Sequence, residues 1–291
     1  MQQNPDVRYL YVFVSQTTGR CMNHEIDLDY IPQLLLSVKT LVFVNNYFPH
    51  INRETFVNVS SNDINHLNLT QNRNQTISND FFLDFKSFYV LDLSHNIDIH
   101  IDTLQACFAS IHFVHEGSMY VRNVFRSGTI PQNMSQHFSD SYLWFIDLKQ
   151  NNLIGIDCKV FQNLSHLNRL DASDNSIAII NYNGLLRLTI LNIDHNNLRE
   201  VPNFCSENGS SFVHHLRELH IVNNRVQVLK TNDFQCAVRI RRLCISNNPL
   251  REIQNNMLAP LKRLSSLSII PSRHTLKHIQ SMLSMLLALK V

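Results

Sequence analysis

A self-similar string that recurs at about 24-residue spacing constrains this chain more than any other feature. Each copy begins with three apolar positions in the pattern LxxLxL and ends three residues later in Asn. The cleanest copy runs from Leu143 through Ile146 and Leu148 to Asn151. Further copies start at Val38, Ile64, Phe88, Leu167, Leu188, Leu216, Ile240 and Leu264, with their Asn at Asn46, Asn72, Asn96, Asn175, Asn196, Asn224 and Asn248, and Ser272 in the last copy. No single copy can bury its own apolar face, so the core must arise from stacking of consecutive copies.

The spacing of the apolar positions predicts one short strand per copy. In the LxL segment successive side chains point to opposite sides, so the Leu residues point inward and the residues between them point outward. Stacked copies then form one parallel sheet. The Asn that follows is the one polar residue in an apolar column, and we expect its buried side chain to satisfy backbone groups that the turn leaves unpaired.

The pattern weakens between Phe88 and Leu143. A degenerate copy from Phe108 has apolar residues in the right places but Glu116 where Asn belongs. We interpret about 117–140 as an insertion or longer loop, which either carries function or is a tolerated surface loop. The predicted organisation is a cap-like segment at 1–37, repeats at 38–285, and the start of a truncated further repeat at 286–291. A truncated repeat would make the chain a piece of a longer protein.

Composition and charge exclude several classes of protein. A net charge of +2 gives no overall footprint for nucleic acid or a membrane surface. The most basic patch, Arg239, Arg241 and Arg242 with Arg251 nearby, is typical of a solvated face. No secretory signal is convincing, and no window reaches the roughly 18 apolar residues of a membrane span. Taken literally, these features favour a cytosolic chain. Taken with the broken last repeat, they favour a piece of a membrane protein.

No catalytic, cofactor-binding or metal-binding residues are predicted. The chain has only six Gly residues and no phosphate-cradling loop or zinc-protease motif. Asp98, His100 and Asp102 would share one face of a strand, as metal ligands can. They follow the repeat Asn96, however, and we interpret them as part of the turn.

The repeats resemble the Phe-containing leucine-rich repeats of animal cell-surface proteins, such as Toll-like receptors and Slit-like or other adhesion receptors. The Phe positions that match are Phe56, Phe161 and Phe234, with Phe81 or Phe82 approximate. The resemblance implies an α/β solenoid shaped as a horseshoe, with a concave parallel sheet and a mostly irregular or short helical convex side. It also implies a ligand-binding ectodomain at the cell surface. The alternative is a free-standing intracellular scaffold or adaptor, which the missing signal and unpaired cysteines favour.

Two sets of residues bear on the extracellular interpretation. Six Asn-x-Ser/Thr sequons are candidate glycosylation sites: Asn58, Asn68, Asn74, Asn133, Asn163 and Asn208. Asn is so abundant that chance alone predicts roughly four. Cys205 and Cys236 fall on the outer side of adjacent repeats and are the best candidate disulfide, whereas Cys244 takes an outward strand position as a free thiol.

The outward residues of the strands form the predicted binding surface. Their mixture of hydrogen-bonding groups and occasional anchors suits another protein better than a small molecule or nucleic acid. A glycan on Asn68 would obstruct docking early in the sheet. We therefore assign the site to the repeats that start at Leu143, Leu167, Leu188 and Leu216, whose four strands carry no sequon. The predicted contact residues are Phe145, Asp147, Lys149, Arg169, Asp171, Asn192, Asp194, Glu218 and His220.

Overall fold

The computed structural model describes residues 9–13, 39–44, 47–56, 64–97, 99, 111–125, 127–130, 134, 142–181, 185 and 187–270. The chain divides into two compact units. The first unit consists of Met1–Arg126 with Ile130–Asn151, and the second consists of Ser127–Thr129 with Asn152–Val291. Each unit is a parallel β-solenoid, which confirms the predicted leucine-rich repeat fold.

The first unit carries six strands of the main parallel sheet. The strands of this unit are β1 (Tyr9–Phe13), β2 (Thr40–Val44), β3 (Tyr47–Ile51), β4 (His66–Asn68), β5 (Arg73–Ile77), β6 (Phe88–Asp92), β7 (Phe113–Tyr120) and β8 (Leu143–Asp147). The main strands lie side by side in the order β1-β2-β4-β6-β7-β8, while β3 and β5 pair separately. Strand β1 pairs with β2 in parallel.

The second unit repeats the same plan with five main strands. Its strands are β9 (Gly155–Asp157), β10 (Arg169–Asp171), β11 (Ile179–Asn181), β12 (Ile190–Asn192), β13 (Glu218–His220), β14 (Val228–Leu229), β15 (Arg242–Cys244), β16 (Glu252–Ile253) and β17 (Ser266–Ser268). The main order is β10-β12-β13-β15-β17, with two small sheets, β9-β11 and β14-β16, in the returning segments. In the described residues the other segments are irregular apart from single-turn 3-10 helices at Arg53–Phe56 and Cys158–Phe161.

The core of each unit is built from the predicted inward positions. The residue at the middle apolar position of the repeat is buried in each main strand from β2 to β15, as in Leu67, Leu91 and Leu219, whereas Leu267 of β17 is half-buried. Strand pairing keeps these side chains in one column, because Leu67 pairs with Leu91 and Leu219 pairs with Leu243. The predicted Phe positions Phe81, Phe82, Phe161 and Phe234 are buried as well, and the side chain of Phe56 lies outside the described residues.

The repeat Asn residues form the predicted buried ladder. Asn151, which is 1% exposed, donates to the carbonyls of Val121 and Leu148 at 2.8 Å and accepts from the backbone N–H groups of Val124 and Phe125. The same contacts to the preceding repeat recur in the other copies at Asn72, Asn96, Asn196, Asn224 and Asn248. Asn175 is half-buried, and Asn46 lies outside the described residues.

A left-handed residue precedes every described ladder position. The φ values of Gln71, His95, Asn123, Gln150, Asp174, His195, Asn223 and Asn247 lie between 49° and 62°. Four of these eight are Asn or Asp, and such residues tolerate this conformation better than other non-glycine residues. The recurrence at Asn123 shows that Val124 occupies a ladder position, although it is not Asn.

The register of the weak repeat differs from the one read from the sequence. Strand β7 pairs with both neighbours, and Met119, not Ile111, lies beside Leu91 and Ile146. The register shifts between Phe113 and Ser118, so three extra residues bulge from β7. The segment 117–124 is thus part of the solenoid. For the rest of the predicted insertion, only Phe125, 127–130 and Met134 are described.

The predicted ends lie largely outside the described residues. Of the cap-like segment 1–37, the structure describes only the backbone of β1. The truncated repeat at 286–291 and Ser272 are also outside the described part.

Candidate functional site

The outward side chains of each main strand define what we call the solvent face of that unit. In the first unit the register places Val90, Ser118 and Phe145 in one row. A second row holds Asn68, Asp92, Tyr120 and Asp147. Residues Ser94, Arg122 and Lys149 follow two positions later.

The Asn and Asp residues of the second row, and of the corresponding row in the second unit, cap the ends of their own strands. In each case the side-chain oxygen accepts a hydrogen bond from the backbone N–H two residues later. These bonds are 2.8 Å at Asn68, 2.9 Å at Asp92 and 3.1 Å at Asp147 in the first unit, and 3.2 Å at Asp171 and 3.1 Å at Asn192 in the second. Short side chains with this geometry form Asx turns, so these residues serve the strand ends.

Tyr120 departs from this capping pattern. Its ring meets Phe145 edge-on with centroids 5.4 Å apart, and the Arg122 guanidinium carbon lies 5.4 Å from the Tyr120 centroid. Arg122 Nε and Nη2 donate to Asp147 Oδ2 at 2.7 and 2.6 Å. The Asp147 carboxylate is 1% exposed whereas the Arg122 side chain is 39% exposed, so a buried anion positions an accessible cation. We call Tyr120, Arg122 and Phe145 the aromatic–arginine cluster.

The predicted contact residues of β8 have different environments. Phe145 retains 9% exposure and packs edge-on against Tyr120, Asp147 is buried and paired with Arg122, and Lys149 is half-buried. The hydrogen bond that Arg122 donates to Asp147 raises the pKa of Arg122, which keeps the guanidinium charged. Sequence reasoning missed Tyr120 and Arg122 because the weak repeat was aligned on Ile111. The pattern Met119-x-Val121-x-x-Val124 was the signal that marks the register.

The second unit brings the remaining predicted residues onto one solvent face. Arg169 lies beside Ile190, which in turn pairs with Glu218, and Asp171, Asn192 and His220 form the next row. Arg169 is exposed, but Asp171 is 2% exposed and accepts from the Ser173 hydroxyl at 2.7 Å and from Asn192 Nδ2 at 3.2 Å.

Charges on β13 and β15 pair across the face. Glu218 Oε2 lies 3.3 Å from Arg242 Nη1 and 3.7 Å from His220 Nε2. Asp194 Oδ1 accepts from the backbone N–H of Val222 at 2.5 Å. Burial raises the pKa of the Asp194 carboxyl, although the Val222 bond and the nearby His220 and His195 oppose the shift.

Cys205 and Cys236 are joined as a disulfide with a Cα–Cα distance of 5.4 Å. The bond links the loop before β13 to the segment before β15. Among the described residues, Cys158 and Cys244 are free thiols, and burial raises the pKa of both. Cys244 takes the outward position of β15, as the sequence indicates.

The sequons occupy several environments. Asn208 lies on an exposed turn, where its Oδ1 accepts from the N–H and hydroxyl of Ser210 at 3.1 and 2.8 Å. Asn68 and Asn163 are half-buried. The Asn74 side chain, Asn58 and Asn133 lie outside the described residues.

Two features of the described residues concern membranes and metals. None of the helices in this part of the chain has the length and hydropathy needed to cross a bilayer. No group of three His, Cys, Asp or Glu side chains there has metal-binding geometry. Asp98, His100 and Asp102 lie outside the described part.

Comparison with known proteins places this fold. No family model and no curated protein sequence matches the chain. Its structure is similar to Toll in the Drosophila Toll–Spatzle complex, with a TM-score of 0.62 and 17% identity over 86% of this chain and 36% of that one. It also matches TLR13 in a complex with ssRNA13, at a TM-score of 0.44 and 15% identity over 82% of this chain and 43% of that one. The chain thus spans less than half the length of either protein.

The LxxLxL repeats, the Asn ladder and the stacked parallel strands define a leucine-rich repeat protein by fold. The likeness to Toll, at 17% identity, is a likeness of that fold.

Proposed function

We propose that this chain is a protein-binding leucine-rich repeat domain from the extracellular part of a cell-surface receptor or adhesion protein. The solvent faces of its two units would bind the partner. In each unit several strands end in an Asx cap and most of the ladder Asn side chains are buried, so the outward side chains are presented from a rigid backbone.

The aromatic–arginine cluster carries this proposal. Asn68, Asp92 and Asp147 cap their strands, whereas Tyr120, in the same row, has an aromatic side chain that lies on the solvent face. Arg122 lies against that ring and is held by a buried carboxylate. Tyr and Arg are enriched among the residues that dominate protein interfaces, and a prearranged side chain loses little entropy when it binds.

The second unit offers a second set of contact residues. His220 likewise replaces the capping Asn or Asp of its row, and Arg169 and Glu218 lie one row away. We retain Arg169, Asn192, Asp194, Glu218 and His220 as proposed contacts, while the buried Asp147 and Asp171 hold their neighbours in place.

A binding screen tests the proposal. The purified chain would be screened against an array of secreted and cell-surface proteins, and each partner titrated with variants. We expect Arg122→Gln and Arg169→Ala each to weaken binding by more than about 1 kcal/mol, which is roughly fivefold or more in Kd. Arg199→Gln, an exposed arginine that follows the ladder turn after β12, is the matched control. A partner that ignores both changes but loses affinity when Ser127–Thr129 is replaced would assign the site to the weak-repeat segment.

Two observations favour the receptor over an intracellular scaffold. A Cys205–Cys236 disulfide persists in oxidising compartments and is rare in the cytosol. The Asn208 sequon lies on an exposed turn with its side-chain oxygen engaged by Ser210. The free thiols of Cys158 and Cys244 favour the scaffold, but Cys158 is buried and so protected from oxidation.

Expression through a eukaryotic secretory pathway distinguishes these alternatives. We expect secreted protein with the Cys205–Cys236 bond intact and a glycan at Asn208, detected by mass spectrometry before and after glycosidase treatment. Asn208→Gln should remove one glycan. The scaffold would be favoured by two results together. The protein would be retained inside the cell, and protein expressed in the cytosol would fold normally with both cysteines reduced.

A further inference from the structure

Basic residues recur at the edge of the second unit where its main strands begin. Strands β13, β15 and β17 are each preceded by the same tight turn, which is closed by a backbone hydrogen bond from Leu216 to Val213, from Ile240 to Ala237 and from Leu264 to Leu261 at 3.1, 3.2 and 3.0 Å. The third residue of these turns is His215, Arg239 or Arg263. The equivalent position therefore holds a basic side chain in three consecutive repeats.

Backbone hydrogen bonds between neighbouring strands form a ladder that fixes the positions of further basic residues beside these turns. Arg241 N donates to the carbonyl of Arg217 at 2.7 Å, and Ser265 N donates to the carbonyl of Arg241 at 2.8 Å. Adjacent backbones in such a ladder lie about 4.8 Å apart. The side chains of Arg217 and Arg241 consequently leave the sheet at neighbouring points.

These cations are exposed and lack ionic partners. Within the described ranges, no carboxylate lies at ion-pair distance from Arg217, Arg239, Arg241, Lys262 or Arg263. Glu218, the acidic residue next to Arg217, is paired with Arg242. The sequence after Glu252 contains no Asp or Glu at all. We call the five unpaired residues the basic edge.

We propose that the basic edge binds a linear sulfated polysaccharide. Neighbouring like charges repel each other, and an anionic chain that runs along the edge would replace this repulsion with attraction. Guanidinium groups bind oxyanions such as sulfate through paired N–H donors. The basic edge covers the starts of three neighbouring strands, β13, β15 and β17, which span about 10 Å, and this length suits a repeating anion more than a single ion.

The surroundings of the basic edge favour a polysaccharide over a single-stranded nucleic acid. Nucleic-acid grooves interleave cations with aromatic rings on which bases stack. In the described part of the second unit, Phe161, Phe204 and Phe234 are buried and Phe212 is half-buried. The sequence after Phe234 contains no Phe, Tyr or Trp. The edge thus offers charge without stacking platforms.

Titration of the full chain with a heparin decasaccharide, at several salt concentrations, tests this inference. The test variant combines Arg239→Gln, Arg241→Gln and Arg263→Gln. We expect about tenfold weaker binding or more, and a slope of log affinity against log salt that is shallower by about three, one per lost contact. The matched control combines Lys159→Gln, Arg199→Gln and Arg225→Gln, which remove the same charge from exposed residues outside the edge.

Several outcomes would overturn the inference. Equal losses in the test and control variants would show attraction to net charge alone. Tighter binding of single-stranded poly(U) of matched charge would assign the edge to nucleic acid. A second measurement uses only the wild-type protein, so it remains valid if the test variant misfolds. We expect desulfated heparin to bind the wild-type protein at least about tenfold more weakly than heparin does. Unchanged affinity for desulfated heparin would refute the role of sulfate.

Discussion

Replacing Asn151 with Ala tests the ladder directly. The Asn151 side chain bonds two buried carbonyls, those of Val121 and Leu148, and two buried N–H groups, those of Val124 and Phe125, all at 2.7–2.8 Å. An unsatisfied buried polar group costs about 1–3 kcal/mol. Four groups at the lower end of that range give a destabilisation of about 4 kcal/mol, a large part of the total stability of a domain. Urea denaturation followed by far-ultraviolet circular dichroism measures this change.

Asn152 supplies the control, because it is the next residue but is exposed. Its φ of 55° would strain Ala, so the matched substitution is Asn152→Gly, which accepts that conformation. We expect this variant to lie within about 0.5 kcal/mol of wild type. Comparable shifts in the two variants would refute the reasoning that the ladder, rather than the turn, holds these groups.

Three further predictions concern other sites. Burial raises the pKa of Asp194, so its ionisation costs folded-state stability as pH rises above the usual Asp range; Asp194→Asn should therefore be more stable than wild type at pH 7 but not at pH 3, by thermal denaturation. Replacing Cys205 and Cys236 with Ser should lower the free energy of unfolding by about 3.7 kcal/mol, measured by urea denaturation, because their bond closes a loop with a sequence separation of 31; an unchanged midpoint would mean that the bond does not form. Gly117→Ala should destabilise by at least about 1 kcal/mol, because a Cβ there would lie 2.6 Å from Phe113 Cβ, and a neutral result would show that the bulge yields.

The sequence predicted the fold closely where each repeat carries its full pattern. Between Leu143 and Ile245 the alternation of apolar and polar residues sets the register, since a shift of one residue would turn every Leu to solvent. The burial of Ile146, Leu170 and Leu219 confirms that register. The repeat at β7 could not be aligned in this way, because its bulge separates Phe113 from Met119 and its ladder residue is Val124.

The environments of the outward side chains were predicted less well, for a physical reason. Outward positions are assigned from the same alternation, but the pattern does not distinguish a side chain that caps a strand from one that awaits a ligand. Asp147 and Asp171 were both assigned as contacts, yet their carboxylates are engaged and buried. Such roles depend on packing of neighbours such as Arg122, whose place follows from the bulge.

Val124 has a consequence for the cooperativity of the first unit. In a repeat protein, stability is the sum of the stabilities of individual coils and of nearest-neighbour couplings between them. The side-chain amide of Asn96 donates a hydrogen bond to the Leu69 carbonyl in the preceding coil. Val124 has no side-chain amide that could donate to the Leu93 carbonyl in the same way. We expect native-state amide exchange to reveal this weak coupling, with the coils of β2, β4 and β6 opening together before those of β7 and β8. The aromatic–arginine cluster lies on β7 and β8 with their following turns, so a partner can remain bound there while the earlier coils open and close.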